Sequence, residues 1–176
     1  MNQQRDLAAF IRSQLAGLAA TDLIDRRLVI LGLAPQRTVS PTELEESLGL
    51  CHRLVCDGAR LVIPDRPRSR IALSRLLQQR RSGEVLRGTC ELVNDPGQAC
   101  RGADAVLLLP GWSPERPLTW RSLAAAMRPP GWLFDLRQDA DLSRPAAAGL
   151  ETWHLPLLGG TAASQSLSRS WAAAHR

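Results

Sequence analysis

The segment Ala103-Asp-Ala-Val-Leu-Leu-Leu109 is the most hydrophobic stretch of the chain. An uninterrupted apolar run of this length suits a strand covered on both faces, whereas a half-exposed strand alternates apolar and polar residues. Arg27-Leu-Val-Ile-Leu-Gly-Leu33 and Arg60-Leu-Val-Ile63 repeat the pattern and stop at Pro35 and at Pro64-Asp65. Shorter candidates follow at residues 90–93, at Trp132-Leu-Phe-Asp135 and at Glu151-Thr-Trp-His-Leu155. Strands of this kind are found in parallel sheets, whose crossover connections lay helices over both faces.

Helical patterns fill the intervals. Leu7, Phe10, Ile11, Leu15 and Leu18 make an amphipathic opening helix over 4–20. Ser40-Pro41-Thr42-Glu43 has the residues of a capping box with proline at the first helical position, which predicts a helix to about Asp57, closed by Gly58. A basic amphipathic helix is expected over 69–81, a turn or short helix over 95–100, a helix over 118–127 that stops at Pro129-Pro130, and a last helix over 162–174. The alternation predicts a three-layer α/β/α Rossmann-like domain with a mostly parallel sheet of about five or six strands. One domain is expected over 1–176, with an N-terminal helix in 1–26 and a helix or tail in 161–176.

Composition narrows the chemistry. The chain is 44% apolar and 22% charged, enough for a real core, and all 22 basic residues are arginine. With no lysine and no tyrosine, Schiff-base chemistry, a phosphate-loop lysine and a tyrosine acid are excluded. The net charge of +5 would suit nucleic acid, but aromatic content is 4% and the five tryptophans are scattered, which argues against that partner. Four cysteines (Cys51, Cys56, Cys90, Cys100) lack the paired spacing of a zinc site and read as reduced thiols. His52, His154 and His175 lie far apart, so no metal site is expected. Charge in residues 1–12 and the lack of any apolar run near ~18 residues give the expectation of a cytoplasmic, soluble protein.

In open α/β sheets, ligands bind beyond the carboxyl ends of the strands. The loop Gly32-Leu-Ala-Pro-Gln-Arg-Thr-Val-Ser40 leads into a helix N-terminus, where backbone amides favour an anion and Arg37 adds a guanidinium. Loops 110–116 and 135–138 bring Trp112, Arg116 and Arg137 to neighbouring strand ends, with Trp112 offering a flat ring for a base. Each loop alone fits an anion pocket and fits an ordinary arginine-bearing surface equally well.

The series of pieces resembles the C-terminal, nucleotide-sugar-binding domain of the UDP-glucose/GDP-mannose dehydrogenase family. The pieces are Ile30-Leu-Gly-Leu-Ala34, Ser40-Pro41, Gly58-Ala-Arg-Leu-Val-Ile-Pro-Asp65, Cys100-Arg-Gly-Ala-Asp-Ala-Val-Leu-Leu-Leu-Pro-Gly-Trp112, Leu133-Phe-Asp-Leu-Arg137 and Gly149-Leu-Glu-Thr-Trp153. The resemblance covers about 27–160 and implies a UDP-sugar or similar nucleotide as ligand. It carries ligand contact over to Gly32, Ala34, Gln36, Arg37, Trp112 and Arg137. Gln36 stands where the family has its ligand-contacting lysine, and Leu136 where it has the glycine before its arginine. The family oxidises its sugar with NAD held on a separate N-terminal domain, using a cysteine and a lysine. This chain has no GxGxxG after a strand, and Cys51 and Cys56 fall inside the helix expected after Ser40. The expectation is therefore a binding domain with no catalytic residues and no cofactor of its own. Two readings stand beside it: a non-catalytic interaction or scaffold module, self-associating as a homodimer, and one half of a split dehydrogenase whose NAD-binding half is a separate chain.

Overall fold

The computed structural model describes residues 3–16, 22–33, 38–64, 86, 89–113, 118–137 and 139–155. The chain forms α1 (Gln3–Ala16), β1 (Arg27–Leu31), α2 (Pro41–Cys56), β2 (Arg60–Pro64), β3 (Glu91–Val93) and α3 (Pro96–Cys100). It continues through β4 (Ala105–Leu108), α4 (Trp120–Ala126), β5 (Trp132–Asp135), α5 (Ser143–Ala147) and β6 (Glu151–His154). The six strands make one sheet in the order β3-β2-β1-β4-β5-β6, and every pairing is parallel. The Rossmann-like expectation is met, with six parallel strands among the described residues. The helices expected over 69–81 and 162–174 lie outside the described residues.

Side-chain alternation along the strands builds two cores. Leu28 and Ile30 of β1, Leu61 and Ile63 of β2, Ala105 and Leu107 of β4 and Phe134 of β5 point to one face, where α1 and α2 cover them. Val29, Leu31, Val62, Val106, Leu108 and Leu133 point to the other, against Ala99, Leu123, Met127 and Leu150. Running out from β1 to β3 and then from β4 to β6 sends right-handed crossovers to opposite faces, which is why both are filled. The opening helix lays Leu7, Phe10, Ile11 and Leu15 on the first core. Phe10 meets Phe134 and Trp153 edge-on, at centroid distances of 6.5 and 5.2 Å.

The start of α2 follows its capping residues. Ser40 Oγ accepts from the Glu43 amide at 3.1 Å and the Glu43 carboxylate accepts from the Ser40 amide at 2.7 Å. Gly58, at φ +96°, turns the chain out of the helix, as only glycine does without strain. The helix α5 was not expected: Ser-Arg-Pro-Ala-Ala has no apolar periodicity.

Asp104 ties the sheet together at the amino ends of its strands. Its buried carboxylate accepts from the Arg27 amide at 2.8 Å and from Arg26 Nη1 at 3.1 Å, with Arg128 at 3.5 Å. Its own amide donates to the Arg27 carbonyl, and its carbonyl accepts from the Trp132 amide. The strand β4 itself spans Ala105–Leu108, shorter than the apolar run 103–109.

The cysteines are free. Cys51 and Cys100 are buried, Cys90 is half-buried and Cys56 is exposed on α2. Burial pushes the Cys100 thiol up to about 12 and the Cys90 thiol to about 11, and Cys51 higher still, from an ordinary value of 9.0. Because these pKa values are raised in the folded chain, the protonated thiols contribute stability that is complete below pH 9 and is lost as pH rises through 11 to 12. Urea midpoints measured between about pH 8 and pH 11 should fall on this limb, and Cys100→Ala should make it shallower, with Cys51 and Cys90 keeping the remainder. A midpoint that stays constant across the range would contradict the buried-thiol account.

Candidate functional site

Each central strand hands its ladder on to the loop beyond it. The Leu109 amide donates to the Leu31 carbonyl, Leu136 to Leu108 and Leu155 to Asp135, at 2.8–2.9 Å. The strand order reverses between β1 and β4, and the loops after them meet there. Gly32, at φ +92°, lies under the Trp112 backbone: a Cβ on it would stand 2.8 Å from both Trp112 Cα and Cβ. No larger residue fits at position 32, so this glycine is required by a close approach of backbone to backbone.

That approach also sets the fate of Trp112. The indole is 6% exposed and packs into the second core. Its ring is largely used by the protein, so it forms a wall and not the open stacking face that the sequence suggested.

The arginine expected at the end of β5 is placed by Asp135. This carboxylate is fully buried at the last position of the strand, and burial of a charge is tolerated only with several partners. It has three: Oδ1 accepts from the Arg137 amide at 3.0 Å, and Oδ2 accepts from the Ala140 amide at 3.2 Å and faces His154 Nδ1 at 2.8 Å. Asp135 thus clasps the loop over 135–140 and joins it to the edge strand β6. The sequence reading missed both Asp135 and His154; their match across parallel strands became visible only with the register Asp135↔His154.

The Arg137 guanidinium is itself paired. Its Nε and Nη2 both reach Asp139 Oδ1 at 2.8 Å, and its side chain is 15% exposed. Beside this pair opens a cleft of about 380 Å³ at the carboxyl ends of β4 and β5. Leu108, Trp112, Leu118 and Trp120 form its apolar walls, and Arg137, Asp139, Asp141 and Arg144 its polar ones. Asp141 accepts from both the hydroxyl and the amide of Ser143 at the start of α5. The Ser143 hydroxyl and amide, with Arg144 nearby, hold the Asp141 carboxyl below its ordinary value.

The structure therefore brings Arg137 and Trp112 to one cleft, with Gly32 beneath the Trp112 backbone. Ala34, Gln36, Arg37 and Arg116 lie outside the described residues. Among the described residues, no three His, Cys, Asp or Glu side chains gather as a metal site. No helix among them is long and apolar enough to cross a membrane.

No protein-family model matches the chain. UDP-glucose 6-dehydrogenase of Drosophila melanogaster is 26% identical over 150 residues, 84% of this chain and 31% of that protein. The Bos taurus enzyme of the same name is 27% identical over 119 residues, 66% of this chain and 24% of that protein. The chain is related to the UDP-glucose 6-dehydrogenases. The chain spans 24–31% of the length of those two proteins. Two solved structures show the same fold: shikimate dehydrogenase from Aquifex aeolicus and a diketoreductase. The first superposes with a TM-score of 0.52 at 16% identity, over 86% of this chain and 50% of its own. The second gives 0.50 at 10% identity, over 74% and 49%.

Asp135 is expected to hold the loop after β5 in place. Asp135→Ala strips three donors of their acceptor and should cost about 2–3 kcal/mol in urea unfolding, against less than about 0.5 kcal/mol for Arg144→Ala at the rim. Equal small losses for the two would show that the clasp does not matter to the fold.

Proposed function

We propose that the chain is a diverged UDP-sugar-binding domain, the counterpart of the C-terminal domain of UDP-glucose 6-dehydrogenase, and that it does not catalyse hydride transfer alone. The observation that carries the reading is Arg137: in a chain related to those enzymes, it is fixed by Asp135 beside a cleft at the carboxyl end of the sheet. The guanidinium is largely enclosed and already held in place by Asp139, so it loses little freedom when it meets a phosphate, to which its fork offers two parallel donors. Trp112, Trp120 and Leu118 give the cleft an apolar side against which a base or sugar ring packs. Residues 34–37, with Arg37, complete the anion site on this reading from the loop after β1.

The absence of catalysis is argued from the side chains. The chain has no lysine, Cys51 and Cys100 are buried thiols held protonated, and Cys56 sits on the exposed side of α2. On this reading the domain works in the cytoplasm and takes no cofactor itself; NAD enters only with a separately encoded partner chain. One observation favours the alternative of an interaction module, a homodimer included, that has lost its ligand: Asp139 already neutralises Arg137.

Titration calorimetry with UDP-glucose and with UDP separates the two. Binding is expected at up to millimolar concentration, and Arg137→Ala should weaken it by about tenfold or more. A folded protein that gives no heat at millimolar ligand would contradict the binding reading and leave the module.

A further inference from the structure

Arg137 does not wait in the cleft as a bare cation. Both of its inward donors, Nε and Nη2, converge on a single oxygen, Asp139 Oδ1, at 2.8 Å. The two residues differ in exposure: the guanidinium is 15% exposed, and the carboxylate is 49% exposed at the mouth of the cleft. The arginine is therefore the more enclosed partner, and the aspartate is the one whose carboxylate meets solvent at the mouth of the cleft. A carboxylate and a phosphate present the same kind of oxygen pair to a guanidinium fork, so Asp139 stands where a phosphate oxygen would be received.

We propose that Asp139 is the affinity-determining residue of this cleft, an internal counter-ion that an anionic ligand must displace to reach Arg137. The inference rests on the reading of the cleft as a site for a phosphate-bearing nucleotide, and it names the residue that tunes it. The exchange conserves charge pairing at the guanidinium: one carboxylate leaves for solvent as one phosphate oxygen arrives. Because the departing group is half exposed, its rehydration offsets most of the lost contact, so displacement weakens binding without preventing it. A part of the ligand that never touches Arg137, such as the nucleoside, does not sense the exchange.

The test is titration of the full chain and of Asp139→Asn with UDP and with uridine, at fixed ionic strength. Asparagine keeps the size of the side chain and removes its charge. UDP is expected to bind the variant about two- to fivefold more tightly than the natural chain, as a pair with its carboxylate half in solvent is worth about that much, while uridine affinity stays the same. Asp139→Ala, checked for folding by its thermal melt, should shift UDP in the same direction. UDP binding that is unchanged or weaker in both variants, with the natural chain still binding, would overturn the counter-ion role alone and make Asp139 a positioning residue for Arg137. If neither the natural chain nor the variants bind UDP at millimolar concentration, the nucleotide-site reading falls and takes this inference with it. An equal gain for UDP and uridine would also overturn it, since the effect would not pass through the phosphate.

Discussion

A sheet with all six strands parallel has no face that water can cover, and most of this structure answers that demand. The connections between β1 and β2 and between β4 and β6 cover much of the two faces. The half of the first face over β5 and β6 needs another element, and α1 supplies it by laying Phe10 against Phe134 and Trp153. Arg12 then ties α1 to Asp57 at the end of α2, with Nη1 3.4 Å from the carboxylate. This partly buried pair adds to the apolar contacts of Leu7, Phe10, Ile11 and Leu15 that hold α1 on the first core.

The same sheet treats its two ends differently. At the amino end, Asp104 collects Arg26, the Arg27 amide and Arg128, and its own backbone joins β1 to β5, so the carboxylate is consumed by structure. At the carboxyl end, Asp135 is equally buried, but two of its donors are loop amides. Its effect is to hold a loop in one conformation, with Arg137 and Asp139 on it. Two buried aspartates in one fold thus separate into a staple for strands and a clasp for a binding loop, according to whether their donors lie on the sheet or beyond it.

The sheet was legible because continuous apolar runs such as 105–108 and 28–31 have few alternatives to a doubly covered strand. The start of α2 was legible because a capping box uses residues three apart in sequence. What could not be read depends on contacts between loops. The burial of Trp112 follows from Gly32 lying under its backbone, 80 positions away by residue number. The pairing of Arg137 with Asp139 follows from the shape Asp135 gives the loop, and the partnership of Asp135 with His154 follows from strand register. The strand pattern placed Arg137 beside a strand end and the family resemblance made it a ligand contact; neither carried information on the carboxylates and the second tryptophan, Trp120, that share its cleft.

On the proposed reading a nucleotide occupies the cleft between the loops after β4 and β5. The most direct test is a two-dimensional amide and indole NMR titration with UDP. With a nucleotide in the cleft, the Arg137 and Ala140 amides and the indole signals of Trp112 and Trp120 should move together and saturate. Trp132 and Trp153, packed on the opposite face of the sheet, should stay still. Shifts confined to the opposite face, or none at saturating ligand, would contradict it.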